Sequence, residues 1–310
     1  MNTRLGLRSA AATPAHARAR EPEPTRPLNA DARDAWTKIE DRMAASALPA
    51  TTRTLLAAMF ARRSQRFATG GEMPGGKANP LAFKSAVAPM PLTLNEEAAI
   101  AMSAIAITGY ANAELPLHSG PDGNGGVLTT LVGRAVASPD AAHSVALFVI
   151  NDEGVWFVRR PQNLSEAEVR EQLRLLGEGK VVEAYQALRV KIADGRRGVP
   201  RNTQHTPSFN IWDHNRPGTT VFLPVMDLST IYLAAMTTAF NKDSAFNISD
   251  EHANYALAGT AAFGQSKGGE LNDKLTSGRL YPLDVMETFV DRMATIELGE
   301  MVAHMALVGS

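Results

Sequence analysis

Two apolar runs joined by a short polar turn stand in the middle of the chain: Ser144-Val145-Ala146-Leu147-Phe148-Val149-Ile150, then Asn151-Asp152-Glu153-Gly154, then Val155-Trp156-Phe157-Val158-Arg159. Runs rich in Val, Ile, Phe and Trp favour β-strands. A turn of four residues containing Asn, Asp and Gly favours a reversal of direction between two strands. The pattern therefore predicts an antiparallel β-hairpin over 144–159.

Capping boxes on both sides of this hairpin mark the starts of two helices. Thr93-Leu94-Asn95-Glu96 predicts a helix that continues to about Thr108, and Ser165-Glu166-Ala167-Glu168 predicts helix over much of 165–193, with a break near 177–179. In this motif the hydroxyl and the carboxylate satisfy free amide groups of the first turn. The full set of predicted helices is about 31–47, 51–63, 93–108, 165–193, 228–240 and 284–308.

The last predicted helix, 284–308, carries apolar residues at helical spacing. These residues are Val285, Phe289, Met293 and Ile296, at intervals of four, four and three, which predicts a buried stripe. Upstream, Thr219–Pro224 predicts a strand ended by its proline, and 241–282 reads mostly as loop. Helices with few strands indicate one α+β domain over 31–310.

Composition excludes several classes of protein. The chain has 310 residues, of which 45% are hydrophobic and 20% charged, enough for a substantial core. Its formal charge of -1 excludes a global field that attracts nucleic acid or anionic lipid. With no cysteine, disulfides, iron–sulfur clusters and Cys nucleophiles are excluded. Since no apolar stretch approaches the ~20 residues of a membrane helix, we expect a soluble, cytoplasmic protein.

Residues 1–30 differ in composition from the rest of the chain. They contain Arg, Ala, Ser and Thr with no acidic residue before Glu21. An organellar transit peptide has this composition, and so does a disordered tail. We expect a disordered N-terminal tail over 1–30.

A cluster of cations, Arg62-Arg63-Ser64-Gln65-Arg66-Phe67, follows the apolar run Leu55–Phe60. Guanidinium groups bind phosphate through bidentate, charge-assisted hydrogen bonds, and a Ser hydroxyl adds a donor. The segment therefore predicts a local anion site. The alternative is a solvated helix end, where Arg side chains complement the C-terminal dipole.

This cluster resembles the flavin-phosphate motif of the FMN-dependent nitroreductase family. Ala104-Ile105-Ala106-Ile107-Thr108-Gly109 is similar to the helix end of the azoline dehydrogenase branch, with Ala106 where that branch has glycine. The order of a Gly-rich loop over 118–126, a helix at about 126–137 and the hairpin is also similar. Finally, 296–307 resembles the core helix that family members place across their dimer, with His304 as a departure.

The resemblance implies a nitroreductase-like α+β sandwich, with a central, mostly antiparallel sheet flanked by helices and a long core helix near the C-terminus. It implies a homodimer that binds FMN at the subunit interface. Arg62, Ser64 and Arg66 would contact phosphate and ribityl oxygens, the backbone of Arg63 would face the flavin, and Asn124 would lie at the isoalloxazine edge. The amide of Asn124 can both donate and accept hydrogen bonds at that edge.

The implied activity is hydride transfer from NAD(P)H to FMN and then to a nitroaromatic, a quinone or a similar acceptor. Family members continue past the core helix with a segment that also holds the phosphate. The resemblance therefore implies a domain truncated at its C-terminus, a site completed differently, or loss of flavin binding.

Two other functions remain open at this point. One is a redox-inactive flavin-fold protein that serves in binding or assembly. The other is a hydrolase or transferase whose site the sequence does not identify. Gly71–Ala78 is rejected as a phosphate-binding P-loop because Ala78 has no hydroxyl for Mg²⁺. His205, Asp213, His214 and His252 are rejected as a metal site because their spacing matches no ligand pattern.

Overall fold

The computed structural model describes residues 38, 49–62, 70–73, 75, 82–115, 127–200, 215–239, 246–252, 254–257 and 279–309. The chain divides into two compact units, 1–63 and 64–310. The predicted tail over 1–30 and, apart from Lys38, the predicted helix over 31–47 lie outside the described residues. The single domain over 31–310 stays a prediction.

Six α-helices are described. They are α1, Ala50–Ala61, in the first unit, and α2, Leu94–Ile105, α3, Glu166–Gly177, α4, Val181–Leu188, α5, Leu228–Ala239, and α6, Leu283–Val308, in the second. The predictions of helix over 51–63, 228–240 and 284–308 are confirmed. Both capping boxes are confirmed as well, at Thr93 and at Ser165.

Eleven strands are described, all in the second unit. They are β1, Glu72–Met73, β2, Phe83–Lys84, β3, Ile107–Leu115, β4, Val127–Arg134, β5, Val145–Ile150, β6, Gly154–Val158, β7, Arg189–Asp194, β8, Val221–Met226, β9, Asn247–Asp250, β10, Ala256–Leu257, and β11, Leu280–Pro282. The fold is thus mixed α/β, with antiparallel sheets and a long C-terminal helix.

The predicted hairpin is confirmed and lies at the centre of a four-stranded sheet. β5 and β6 pair antiparallel from Leu147–Val158 to Ile150–Val155. β7 pairs with the outer side of β6 and β8 with the outer side of β5, both antiparallel, in the order β7-β6-β5-β8. The hairpin therefore contributes the two interior strands.

One face of this sheet forms the main core. Val145, Leu147 and Val149 alternate along β5 and are at most 1% exposed, because successive side chains of a strand point to opposite faces. Side chains of α2, α4 and α6 complete the same cluster, among them Met102, Tyr185, Leu188, Met301 and Met305. A second cluster joins α5 and α6 through Ile231, Met286, Val290 and Ala294 and includes Ile248 of β9.

At the ribbon formed by β3 and β4, the end of one predicted helix and the whole of another are wrong. The helix that starts at Thr93 ends at Ile105 rather than at Thr108, and the helix expected at 126–137 is strand β4. β3 and β4 pair with each other antiparallel over most of their length. The β-branched residues of Val127-Leu128-Thr129-Thr130-Leu131-Val132 fit a pleated ribbon better than a helix.

Three further boundaries differ from the predictions. The helix expected to continue to 193 ends at Leu188, because Arg189–Asp194 pairs with β6 as β7. Pro224 lies inside β8 rather than ending it, which the edge position of β8 allows, since one side of an edge strand needs no amide donor. The segment 241–282, expected to be mostly loop, contributes β9, β10 and β11 to a small sheet.

The prediction of which side of the final helix is buried is wrong. Val285, Phe289 and Ile296 are 46%, 49% and 63% exposed. The buried residues of α6 are Met286, Val290, Ala294, Glu297, Met301 and Met305. They form a parallel stripe one residue further along. Because α6 carries apolar residues on both stripes, periodicity alone could not decide which of them faces the core.

Candidate functional site

The predicted anion site is described at one residue only. Arg62 follows the last residue of α1, is exposed, and donates its backbone N–H to the carbonyl of Ala58 at 3.1 Å. The other predicted site residues, Arg63, Ser64, Arg66 and Asn124, lie outside the described residues. The flavin site as a whole therefore stays a prediction.

The most elaborate polar centre surrounds Glu297, which is 0% exposed at the middle of α6. One carboxylate oxygen accepts from the guanidinium of Arg134 and from the Val145 N–H at 2.9 Å. The other accepts from the Ser138 hydroxyl at 2.7 Å and from the Ser144 hydroxyl at 2.8 Å and N–H at 3.2 Å. The carboxylate thus ties α6 to the end of β4 and to the start of β5.

The donors around Glu297 decide its protonation. Burial alone raises the pKa of the Glu297 carboxyl, but the Val145 N–H, the Arg134 charge and the hydroxyls of Ser138 and Ser144 together hold that pKa below its usual range. Glu297 is therefore ionised and paired with Arg134, whose side chain is 1% exposed. Hydrogen bonds of this kind are what a buried charge needs in order to be tolerated.

His143 lies in the loop next to this ion pair. One ring nitrogen, Nε2, lies 2.7 Å from the carbonyl of Val132, and the backbone N–H donates to the Ser138 hydroxyl at 2.7 Å. The other ring nitrogen, Nδ1, is buried without a partner among the described residues. Burial, reinforced by the charges of Arg134 and Arg160, lowers the pKa of His143. The imidazole is therefore neutral near pH 7.

Arg160 binds the backbone of the same loop. Its guanidinium donates to the carbonyls of His143 and Ser144 at 3.3 and 3.2 Å, and to the Asp227 carboxylate at 3.2 Å. Asp227 also accepts from the Ser229 hydroxyl at 2.6 Å, which, together with Arg160, lowers its pKa. Arg134 and Arg160 are thus each paired with a carboxylate, Glu297 and Asp227, at the loop that enters β5.

A second buried carboxylate, Glu97 of α2, is 3% exposed. It accepts from the Tyr185 hydroxyl at 2.8 Å, from the Arg189 guanidinium at 3.3 Å and from the Asn151 amide at 2.9 Å. Burial and the charge of Glu97 both raise the pKa of the Tyr185 phenol, so that it stays a donor. Arg189 also stacks over the Trp156 ring, 4.1 Å from its centroid.

In both centres a buried carboxylate accepts hydrogen bonds on both of its oxygens. Neither the Glu97 nor the Glu297 carboxylate is open to solvent. Their geometry fits a role in joining elements of the fold. It does not fit a general acid or base, which must lie within hydrogen-bond distance of the reacting group of a substrate.

A small cavity lies elsewhere in the second unit, between three loops. Its volume is about 240 Å³, and it is lined by Gly70, Gly71, Pro89, Met90, Leu92 and residues 216–220. Gly70 has a φ of 82°, and a Cβ at that position would lie 2.3 Å from the Pro89 Cα, so the close approach requires glycine. The volume is smaller than the roughly 300–1,000 Å³ of typical ligand pockets.

Within the described ranges, no group of three or more His, Asp or Glu side chains is arranged to hold a metal ion. His205, Asp213 and His214, which the sequence analysis weighed as ligands, lie outside those ranges. Of the helices in the part of the chain that the structure covers, none is long and apolar enough to cross a membrane.

Sequence reasoning missed both carboxylate centres. One signal was available: Glu297 follows Val290 by seven residues, follows Ala294 by three and precedes Met301 by four, so it shares their helix face. A charged residue on a buried apolar stripe indicates a buried partner of opposite charge, because charged side chains are rarely buried unpaired. Arg134, which is 163 positions away, could not be identified as that partner from spacing.

Comparisons of this chain with family models, with curated proteins and with solved structures find no match.

Proposed function

We propose that this protein is an FMN-dependent NAD(P)H oxidoreductase of the nitroreductase-like type, acting as a cytoplasmic homodimer. The observation that carries the proposal is the Arg62-Arg63-Ser64-Gln65-Arg66 cluster, placed directly after a helix. Bound FMN would supply the redox chemistry, taking hydride from NAD(P)H and passing electrons to a nitroaromatic, a quinone or a similar acceptor.

The described part of the proposed site fits a phosphate ligand. α1 ends at Ala61, so Arg62, an exposed residue, begins the segment that leaves the helix. A guanidinium matches a phosphate group with two parallel hydrogen bonds. Ser64, Arg66 and the backbone at Arg63 would add donors, and the amide of Asn124 would face the isoalloxazine edge.

The surroundings of the buried acids are compatible with chemistry carried by a cofactor. Glu97 and Glu297 are closed off from solvent by their own hydrogen-bond donors. In a reaction whose electrons travel through a flavin, the protein binds and orients the reactants, and a side-chain nucleophile is not required.

Replacement of Arg62 and Arg66 by Ala tests the proposal. We expect the purified wild-type protein to be yellow, to release FMN on denaturation and to bleach when NADPH is added. The Arg62→Ala, Arg66→Ala double variant should keep its circular dichroism spectrum and lose more than nine-tenths of the flavin, because two charge-assisted contacts to phosphate are removed.

A matched control removes two cations elsewhere. Arg170 and Arg174 lie on the exposed surface of α3, where their ion pairs contribute little to stability. The Arg170→Ala, Arg174→Ala variant should retain its flavin. Full flavin occupancy in the Arg62, Arg66 variant would refute the assignment.

A second function, a redox-inactive flavin-fold protein that binds or assembles with partners, is favoured by one observation. α6 exposes Val285, Phe289 and Ile296 on one side, and contiguous exposed apolar residues mark interaction surfaces. The same surface supports the proposed homodimer. A yellow protein that NADPH does not bleach, and that no artificial electron acceptor oxidises, would establish this second function.

A further inference from the structure

The cavity of the second unit, which we name the Arg216 cavity, lies between the loops 70–71, 89–92 and 216–220. Its volume of about 240 Å³ is roughly that of eight water molecules in the liquid, so it has room for a ligand of about eight to ten non-hydrogen atoms. Of the described residues that line it, Arg216 alone is charged. The apolar part of the wall consists of Pro89, Met90, Leu92 and Pro217.

Two glycines fix the shape of the Arg216 cavity. Gly70 has a φ of 82° and Gly218 a φ of 84°, values that glycine adopts readily and other residues rarely. A Cβ at Gly70 would lie 2.3 Å from the Pro89 Cα, and one at Gly218 would lie 3.2 Å from the Pro89 Cβ. Both loops therefore close on the same proline, so backbone contacts determine the space between them.

Charge-assisted hydrogen bonds hold the loop 216–220 in place. The Asp152 carboxylate accepts from the Gly218 N–H at 2.7 Å and from the Arg196 guanidinium at 2.8 Å. The same guanidinium donates to the Thr219 hydroxyl at 3.1 Å and to the Thr219 carbonyl. Burial raises the pKa of Asp152, but these donors hold it below its usual range. The loop is pre-organised by this network, so little ordering is needed when a ligand binds.

Arg216 reaches the cavity wall beside a weakly bound acid. Its guanidinium donates to the Glu72 carbonyl at 3.2 Å, whereas the Glu72 carboxylate lies 3.6 Å from the nearest guanidinium nitrogen. That separation exceeds the roughly 2.7–3.2 Å of a hydrogen bond, and the Glu72 side chain is 42% exposed, so the ion pair contributes little to stability. A carboxylate in the cavity can therefore compete with Glu72 for the guanidinium.

We infer that the Arg216 cavity binds a short monocarboxylic acid, with the carboxylate of the ligand against Arg216 and its apolar body against Pro89, Leu92 and Pro217. Thr220 also lines the cavity, and its hydroxyl, which forms no hydrogen bond within the described part of the chain, adds a donor. A cavity with apolar walls and few polar groups is the usual form of a small-molecule site. The inference goes beyond the proposed function and uses none of its residues.

The same wall favours a single negative charge on the ligand. One guanidinium matches one carboxylate through two parallel hydrogen bonds. The second charge of a phosphate would lie close to the Glu72 carboxylate, which is 3.6 Å from Arg216, and like charges repel. We therefore expect the cavity to select a carboxylate over a phosphate.

Calorimetric titration of the full chain at pH 7 tests the chemistry of the ligand. 4-Methylpentanoate, whose size matches the cavity, should bind with a Kd of about 1 mM or tighter. 4-Methylpentanamide, which has the same shape and no charge, and inorganic phosphate should each bind at least about tenfold more weakly. Decanoate should bind no more tightly than 4-methylpentanoate, because its additional methylenes do not fit. Affinity that rises steadily with chain length would indicate an open apolar surface and overturn the inference.

Two substitutions with opposite expected effects test the position of the ligand. Arg216→Gln should weaken the binding of 4-methylpentanoate about tenfold or more, because the carboxylate loses its cation. Glu72→Gln should tighten it about threefold, because the competing carboxylate is removed. The matched control Arg197→Gln removes an exposed cation close in sequence and outside the cavity, and should bind like wild type.

The Glu72 variant keeps the test valid if Arg216→Gln lowers the melting temperature, since a damaged fold does not bind its ligand more tightly. Equal affinities for the acid and the amide, an unchanged or weaker affinity in Glu72→Gln, or a loss of binding in Arg197→Gln would overturn the inference. None of these titrations depends on flavin. A protein that binds the acid but carries no flavin would therefore refute the cofactor proposal alone.

Discussion

Glu297 and Glu97 each place a carboxylate in the apolar interior, where a lone charge costs several kcal/mol. Each is tolerated because several donors from different elements converge on it. Glu297 connects α6 to β4 and β5, and Glu97 connects α2 to α4 and β7. At the scale of single residues, these two side chains carry the long-range polar contacts of the core.

Removing the charge of Glu297 should destabilise the protein strongly. In Glu297→Gln the buried guanidinium of Arg134 loses its counter-charge, and we expect a loss of about 3–5 kcal/mol in the free energy of unfolding. Urea denaturation at pH 7 measures it. The control Glu166→Gln, in an ion pair that is 72% exposed on both sides, should leave the urea midpoint unchanged. Equal midpoints for wild type and Glu297→Gln would contradict the role given to this carboxylate.

His143 should make stability depend on pH in the mildly acidic range. Its pKa in the folded state is lowered below the ordinary imidazole value of about 6.5, so the unfolded chain takes up the proton first as pH falls. The contribution is fully present above about pH 7 and is lost below 6.5, with a slope of at most about 1.4 kcal/mol per pH unit. The groups facing His143 are Arg134, Arg160 and Glu297.

The variant His143→Asn checks this assignment. Asparagine tolerates the φ of 45° at this position and does not titrate. Between pH 7.5 and 5.5, urea denaturation of the variant should show a flatter dependence on pH than that of the wild-type protein. Identical slopes would show that another group is responsible.

At the scale of elements, capping boxes were the most readable signal. The Ser165 hydroxyl accepts the Glu168 N–H at 3.3 Å, and the Glu168 carboxylate accepts the Ser165 N–H at 2.8 Å. All partners lie within three residues, so the sequence alone specifies the contact. The carboxylate also pairs with Arg159 at 2.6 Å, and the Ser165 N–H and Arg159 together lower the pKa of Glu168 to about 2.

Ser165→Ala should destabilise the protein by about 1 kcal/mol, the usual cost of losing a helix cap. Thermal or urea denaturation at neutral pH measures the change, and Ser165→Asp, which keeps a cap oxygen, should restore most of it. Because the pKa of Glu168 is lowered, its share of the cap is present above about pH 4.5 and is lost as pH falls toward 2. An Ala variant as stable as wild type would show that α3 does not depend on its cap.

In two other elements, local sequence patterns were not sufficient to predict the secondary structure. Arg189–Asp194 continues directly from α4 but becomes a strand, because its backbone pairs antiparallel with β6. The segment 127–134 becomes a strand because β3 pairs with it. In both cases the backbone partner comes from a distant part of the chain, which propensity over a short window does not report.

At the scale of the whole second unit, α2, α4 and α6 cover one face of the four-stranded sheet, and the loops that precede β1, α2 and β8 enclose the Arg216 cavity. The two proposals use different parts of the chain. The cofactor proposal uses the cations at the end of α1 and just beyond it, and the carboxylic-acid proposal uses the Arg216 cavity. Each can therefore fail without the other.

The amino-acid sequence alone determined the features whose causes are local. These are the hairpin over 144–159, both helix caps, and the existence and length of α5 and α6, because turn residues, caps and periodicity act over a few positions. Tertiary structure alone decided which of two apolar stripes on α6 is buried and which arginine neutralises Glu297. Both depend on contacts between residues far apart in the chain, and a free energy of packing summed over the whole fold selects them.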